Sequence, residues 1–134
     1  MTEHAKGSFE VKMTPQPWSD SASDTALGRF LLDKHYTGDL EAISHGQMLS
    51  AGTGVKGSAG YVAIEKLIGS LRGRNGTFVM QHSGTMNRGE PQLTISIVPD
   101  SGTGELAGLT GTMTIQIADG KHSYELAYTL ATTD

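Results

Sequence analysis

The stretch that decides the fold is Thr112–Leu130, "TMTIQIADGKHSYELAYTL", in which two runs of alternating residues flank Asp119-Gly120. Asp-Gly favours the positive φ angles of a type I′ turn, the tightest connection of a β-hairpin. Residues that oppose each other across such a turn share one face of the hairpin. The pairs on the apolar face are Ile117–His122, Ile115–Tyr124 and Met113–Leu126. The stretch therefore predicts a β-hairpin with one face directed at a core.

Two further turn signals divide the rest of the chain into strand-like segments. Asn75-Gly76 predicts a hairpin in which Leu71 opposes Met80 and Glu65 opposes Met86. Gly38-Asp39 predicts another, in which Tyr36 opposes Glu41. The segment 63–71, "AIEKLIGSL", also has helical spacing, but its internal glycine and the turn that follows favour a strand.

The pattern as a whole predicts one all-β domain over residues 1–134. About eight strands with short turns describe an antiparallel sheet, and closing the sheet removes its exposed edges. We therefore expect a single eight-stranded β-barrel, with Pro15–Ala26 as a loop after the first strand. A barrel of this size holds packed side chains or one small ligand.

Composition argues against several classes of function. The formal net charge is −4 and the pI about 5.7, so we expect no nucleic-acid partner. The chain has no cysteine, and its five histidines form no metal-binding motif, so we expect neither metal nor cofactor. No export signal and no stretch of about 20 apolar residues is visible, which predicts a cytoplasmic protein without a membrane contact.

The glycine-rich stretch Ser101–Ile115, "SGTGELAGLTGTMTI", resembles the signature of the allene oxide cyclase and dirigent barrels. More closely, "LDKHYTGDLEA", "GYVAIEKL", "QHSGTM" and "DGKHSYEL" resemble a bacterial family of uncharacterised proteins assigned to that barrel type. The resemblance spans Phe9 to Leu130. It implies a cyclase-like or lipocalin-like antiparallel barrel, and it does not carry the cyclase reaction over.

His82 and Ser83 stand side by side in "FVMQHSGTM", Phe78–Met86, and suggest a catalytic pair. Neighbouring side chains of a strand point to opposite faces, so these two cannot act as base and nucleophile. The chain also lacks a G-x-S-x-G elbow. His82 alone shares the apolar face, either as a neutral core histidine or as a pocket histidine that serves as hydrogen-bond donor or general base.

Tyr61 and Glu65 are four residues apart, so in a strand both side chains point to the same face. They are the strongest candidate pair for a site. An inward carboxylate needs Tyr, Lys or Arg partners, since burial of an unpaired charge is expensive. In the predicted register a four-residue offset, roughly 13 Å along a strand, separates Glu65 from His82. The alternative is that Val62, Ile64 and Ile68 face inward and leave Glu65 in water.

Two polar features complete the set of candidates. Lys34 and Glu41 share a face in the predicted register, and they line either a polar barrel mouth or, more in keeping with ordinary surface ion pairs, a solvated face. The stretch 52–57, "GTGVKG", matches G-x-G-x-x-G but lacks the strand, helix and acidic residue of a dinucleotide site. We interpret it as a loop at one end of the barrel.

Three functions remain compatible with these residues. The first is a binding module that holds a small apolar or amphipathic molecule. The second is an isomerase or cyclase in which Glu65 or His82 moves a proton. The third is a structural homo-oligomer with a filled barrel, and an apolar outer face at Val62, Ile64 and Ile68 would support a homodimer. The candidate ligand-binding residues are Glu41, Tyr61, Glu65, Leu67, Phe78, Met80 and His82.

Overall fold

The computed structural model describes residues 2–17 and 27–130, which form nine β-strands and no helix. Most of the predicted loop Pro15–Ala26 lies outside the described residues, while Pro15 and Gln16 belong to the first strand. The strands are β1 (Glu3–Gln16), β2 (Leu27–Gly38), β3 (Leu40–Gly52), β4 (Ala59–Leu71), β5 (Arg74–Asn87), β6 (Glu90–Ile97), β7 (Thr103–Gly104), β8 (Thr110–Ala118) and β9 (Lys121–Thr129).

Eight of these strands form a closed antiparallel barrel. Their order is β4-β3-β2-β1-β9-β8-β6-β5, and pairing between β4 and β5 closes the ring. The two-residue strand β7 pairs with β5 beyond the end of β6. The predicted barrel and the strand assignment of residues 63–71 are therefore confirmed. Among the described residues, no helix is long and apolar enough to cross a membrane.

The hairpin that decides the fold has the predicted register, with Ile117 opposite His122 across the turn. The β4–β5 hairpin does not. It turns at Arg72-Gly73, whose φ angles are 47° and 83°, and Asn75-Gly76 lies inside β5. Glu65 consequently opposes Met80 instead of Met86, a shift of six residues. Because six is even, every side chain keeps the face that the alternation predicts.

The β2–β3 register differs from the prediction by one residue, which has a larger effect on faces. Tyr36 opposes Ala42, so Glu41 points outward while Tyr36 points inward. The carboxylate of Glu41 accepts a hydrogen bond from the backbone N–H of Gly38, 3.2 Å away, within its own turn. A one-residue slip reverses the face of each side chain, which is why the predicted pairing of Lys34 with Glu41 on one face was wrong.

Several strands approach their neighbours more closely than a side chain permits. A Cβ atom on Gly46 would lie 2.1 Å from the carbonyl oxygen of Ile64, and one on Gly76 would lie 2.0 Å from that of Thr103. Glycine at such positions allows a strand to bend as the sheet curls into a barrel. This requirement explains part of the chain's use of 18 glycines.

The two ends of the barrel differ. The end that carries the β2–β3 and β4–β5 turns, which we call the closed end, is filled by apolar side chains. Leu106 and Leu109, from the segment between β7 and β8, are each 1% exposed and close this end against Phe78 and Leu71. The opposite end, which carries the β3–β4 loop and the β5–β6 turn, we call the open end. As far as residues 2–17 and 27–130 show, the interior is accessible at the open end.

Candidate functional site

A carboxylate lies at the centre of the barrel. Glu65 on β4 is 0% exposed and accepts three hydrogen bonds from side chains of other strands. Lys34 Nζ donates to Oε2 over 2.8 Å, and the hydroxyl of Tyr36 donates to Oε1 over 2.7 Å. His82 Nε2 lies 2.5 Å from Oε2. These four residues, Lys34, Tyr36, Glu65 and His82, form the buried cluster.

Strand alternation and register bring the buried cluster together. Lys34 and Tyr36 occupy alternate inward positions of β2, and His82 occupies an inward position of β5. His82 opposes Ala63, one inward position from Glu65, so the two side chains meet diagonally across the β4–β5 pair. The predicted separation of Glu65 from His82 was wrong because the hairpin turns three residues earlier than Asn75-Gly76.

The cluster keeps Glu65 ionised. Burial alone would raise the pKa of this carboxyl, but the hydrogen bond from His82 and the charge of Lys34 outweigh burial and lower the pKa to about 2. Burial and the adjacent Glu65 carboxylate raise the pKa of Tyr36, so its hydroxyl remains a donor. Lys34 Nζ also lies 5.1 Å from the ring centroid of Phe9, within cation–π range. Lys34 is therefore buried and paired, not solvated as the sequence suggested.

The lowered pKa of Glu65 predicts a specific loss of stability in acid. A carboxyl whose folded pKa lies below its unfolded value stabilises the fold above the unfolded value, and that contribution is lost as pH falls toward the folded value. For a pKa lowered from 4.5 to about 2, the contribution is about 3 kcal/mol. We expect the difference in free energy of unfolding between the wild type and Glu65→Gln to shrink by about this amount between pH 5.5 and pH 2, measured by urea titration. A difference that is constant with pH would contradict the ionised state of Glu65.

The imidazole of His82 has one nitrogen engaged and one open. Nε2 is bound to Glu65, and within the described residues Nδ1 makes no hydrogen bond. The ring is 3% exposed, and its centroid lies 6.4 Å from that of Tyr61. Since a carboxylate can only accept, Nε2 carries a hydrogen, and a neutral ring then has its lone pair on Nδ1. The arrangement is that of a histidine oriented by an acid.

A cavity of about 460 Å³ lies at the open end of the barrel, and we call it the open-end pocket. It is formed by the open-end portions of β3, β4, β5 and β6, and it includes Tyr61 and Gly84, which pair across β4 and β5. Gly84 leaves room for the Tyr61 ring, because a Cβ atom at this position would lie 2.5 Å from a ring carbon. The lining residues are Met48, Ser50, Ala51, Gly52, Ala59, Gly60, Tyr61, Gly84, Thr85, Met86, Pro91, Gln92 and Leu93.

The candidate residues from the sequence fall into three places. Tyr61 lines the open-end pocket, and Glu65 and His82 lie in the buried cluster. Glu41 lies on the outer face, outside the barrel interior. The three apolar candidates are packed inside the barrel without lining the pocket; they are Leu67, Phe78 and Met80.

The alternative in which the other face of β4 points inward is wrong. Val62, Ile64 and Ile68 are 52%, 50% and 43% exposed on the outer surface. A homodimer interface would use exposed apolar side chains of this kind, and the homo-oligomer stays a prediction. Ser83 is exposed beside the buried His82, as alternation requires.

Sequence reasoning did not identify Lys34 and Tyr36 as partners of Glu65. The usable signal is the alternation in "LDKHY", Leu32–Tyr36, which places a lysine between a leucine and a tyrosine on one face. The loop that contains "GTGVKG" connects β3 and β4 at the open end, as interpreted. Within residues 2–17 and 27–130, no group of three or more His, Asp or Glu side chains is placed to hold a metal ion.

The profile of a protein family described as "Protein of unknown function (DUF3224)" matches residues 5–128. The chain belongs to the DUF3224 family. A crystal structure of a DUF3224 protein with unknown function from Shewanella oneidensis MR-1 is 48% identical, covers 99% of this chain and 100% of its own, and superposes with a TM-score of 0.93. Among curated proteins, none matches this chain.

Membership of DUF3224 agrees with the sequence expectation of a bacterial family of uncharacterised barrel proteins. The similarity of fold extends over the full length of both chains. The expected link to the allene oxide cyclase barrels stays a prediction.

Proposed function

We propose that this protein binds a small apolar or amphipathic molecule in the open-end pocket. The observation that carries the proposal is the contrast between the two ends of the barrel. Leucines fill the closed end, while a cavity of about 460 Å³ at the open end has mostly apolar walls. Sites for small molecules typically have this size and character.

The pocket has the composition of a binding site rather than of a packing fault. Three of its largest side chains are apolar or aromatic, namely Tyr61, Met86 and Leu93. Met86 and Leu93 are 43% and 44% exposed at the mouth, and exposed apolar surface gains free energy when a ligand covers it. A completely filled barrel, as the third hypothesis required, does not account for this cavity.

A bulky side chain in the pocket should prevent binding. Ala59 lines the pocket, and Ala59→Trp places an indole where the ligand would lie. We expect the neutral dye N-phenyl-1-naphthylamine to bind the wild type with a Kd in the micromolar range and to bind Ala59→Trp at least ten times more weakly. Fluorescence titration measures both, and thermal melting shows whether the variant is folded.

The matched control is Val62→Ser, which removes an exposed apolar side chain from the outer face of the same strand. Its affinity for the dye should equal that of the wild type. If Val62→Ser abolishes binding and Ala59→Trp does not, the dye covers the outer face and the proposal fails.

A second candidate function is an isomerase or cyclase in which the buried cluster moves a proton. The hydrogen bond of 2.5 Å between Glu65 and His82 favours it, because an oriented imidazole can serve as a general base. With its pKa lowered to about 2, Glu65 stays ionised at neutral pH and orients the ring, which leaves His82 as the group that moves the proton.

The two functions predict different rates of hydrogen exchange in a ketone whose α-hydrogens are weakly acidic. In D₂O, the α-hydrogens of 2-tetralone should exchange faster with the protein than in buffer if the second candidate holds, and His82→Gln should remove the acceleration. Binding of 2-tetralone without faster exchange, followed by ¹H NMR, would leave ligand binding as the function.

A further inference from the structure

We propose that the outer face of β3 and β4 is the interface of a homodimer, in which a second copy of this chain packs on the first about a two-fold axis parallel to the strands. Five large apolar side chains on this face are between 43% and 52% exposed, and none of them lines the open-end pocket. We call them the outer patch; they are Ile43, Leu49, Val62, Ile64 and Ile68.

The outer patch is continuous because its members oppose one another in the β3–β4 ladder. Ile43 pairs with Ile68, and Leu49 pairs with Val62 six residues further along β3. At about 3.3 Å per residue, the patch is roughly 20 Å long. A groove of about 490 Å³ lies at its Leu49–Val62 end. Apolar side chains that cluster in this way on a water-soluble face indicate an interaction surface, whereas single exposed ones need no explanation.

A row of charged side chains crosses the outer patch and indicates what covers it. Ladder pairing places Asp33, His45 and Lys66 side by side on β2, β3 and β4, and all three are exposed. Nδ1 of His45 lies 2.7 Å from the carboxylate of Asp33. Within residues 2–17 and 27–130, Lys66 forms no salt bridge. The row thus has an acid at one end and an unpaired ammonium at the other, which makes it complementary to the same row reversed.

A two-fold axis between β3 and β4, parallel to both strands, covers the apolar side chains with one another. Each copy then places its β4 over the β3 of the other copy. Ile68 meets the partner's Ile43, and Val62 meets the partner's Leu49. Strands of sheets that pack face to face run within about 30° of each other, as this axis requires. Every contact occurs twice, as in any two-fold interface between identical surfaces.

The charged row distinguishes this axis from the alternative one. The axis parallel to the strands reverses the row and brings Lys66 beside the partner's Asp33. An axis perpendicular to the strands would also cover the apolar side chains, but it would place Lys66 over the partner's Ile64. That arrangement removes water from an ammonium group without supplying an acid, which is unfavourable. Charge complementarity therefore favours the parallel axis.

The size of the outer patch sets the expected strength of the dimer. Across the three strand spacings from β2 to β5, the surface is roughly 15 Å wide. A standard interface buries about 800 Å² per partner, so this one is at the small end and we expect a Kd in the micromolar range. Exposed ion pairs contribute little to affinity, and Lys66 mainly fixes the orientation of the two copies.

Analytical ultracentrifugation over a concentration series tests the dimer. We expect the wild type to change from monomer to dimer between about 1 and 200 µM, as a micromolar Kd requires. Ile64 lies near the centre of the outer patch, and Ile64→Lys should weaken the dimer at least about twentyfold because an unpaired charge would be buried. The matched control is Ile117→Lys on β8, where the side chain is 67% exposed; it should dimerise like the wild type.

A charge exchange tests the axis. Lys66→Asp places a carboxylate beside the partner's Asp33 and should weaken the dimer about fivefold, and Asp33→Lys should do the same by bringing two ammonium groups together. The double variant Asp33→Lys/Lys66→Asp should recover the Kd of the wild type. All of these side chains are exposed in the monomer, so thermal melting at low concentration should show folded protein in each case.

Three results would overturn the proposal. The first is a wild type that remains monomeric at about 200 µM, well above a micromolar Kd. The second is a dimer that Ile64→Lys leaves intact, since the interface would then lie on another surface. The third is a double charge variant that dimerises no better than the single ones, since the axis would then not bring Lys66 beside the partner's Asp33.

Discussion

Replacing Lys34 with methionine is expected to lower the free energy of unfolding by about 3 to 5 kcal/mol. Methionine has a similar length and fits an apolar interior, so the change mainly removes the charge. Glu65, 0% exposed, would then lose the ammonium that lies 2.8 Å from its Oε2. Urea titration at pH 7 measures the effect.

Two further variants show whether the loss comes from the unpaired carboxylate. Lys66→Met, on the exposed face of β4, should change the free energy of unfolding by less than about 0.5 kcal/mol. The double variant Lys34→Met/Glu65→Leu should recover much of the loss, since removal of both charges leaves no uncompensated carboxylate. A Lys34→Met variant as stable as Lys66→Met would contradict the role assigned to the pair.

Gly46→Ala is expected to cost about 3 kcal/mol or more. Gly46 opposes Glu65 in the β3–β4 ladder, and a Cβ atom there would lie 2.1 Å from the carbonyl oxygen of Ile64 and 2.7 Å from Cα of Glu65. Both obstacles are backbone atoms, so β3 must move away from β4 and shift Glu65 with it. Thermal and urea unfolding measure the loss of stability.

Gly60→Ala is the matched control, because it is also a strand glycine of the same barrel. A Cβ atom on Gly60 meets nothing closer than 3.6 Å, an ordinary contact. This variant should be as stable as the wild type or slightly more stable, since alanine restricts the unfolded chain. Equal losses in the two variants would mean that glycine at position 46 has no special role.

Much of the barrel was predictable because alternation is a local property of each strand. Tyr61 and Glu65 share one face of β4 because they are four residues apart, and the predicted hairpin places His82 on the same face. Glu65 and His82 are buried inside the barrel. The error of six residues in the β4–β5 register did not alter this result, because an even shift preserves faces. The distance between Glu65 and His82, in contrast, depends directly on the register.

The turn of the β4–β5 hairpin was not predictable from local sequence. The stretch "RGRNG", Arg72–Gly76, offers two turn sites, and Asn-Gly is the stronger local signal. In the folded chain Gly76 faces β7, where the carbonyl oxygen of Thr103 leaves no room for a Cβ atom. A contact between segments distant in sequence thus fixes the turn at Arg72-Gly73.

The partners of Glu65 were missed for a related reason. The shift of one residue in the β2–β3 hairpin placed Lys34 beside Glu41 in the prediction, and opposite charges then suggested a solvated face. In the structure Lys34 is buried and Glu41 is exposed. Composition cannot reveal such an arrangement, because a lysine is buried only where a carboxylate from another strand meets it.

A crystal structure of the protein grown with 2-naphthol tests the central claim most directly. We expect the naphthalene rings to lie between Tyr61, Met86 and Leu93 in the open-end pocket. Side chains that fill the pocket while the probe lies on the outer face would contradict it.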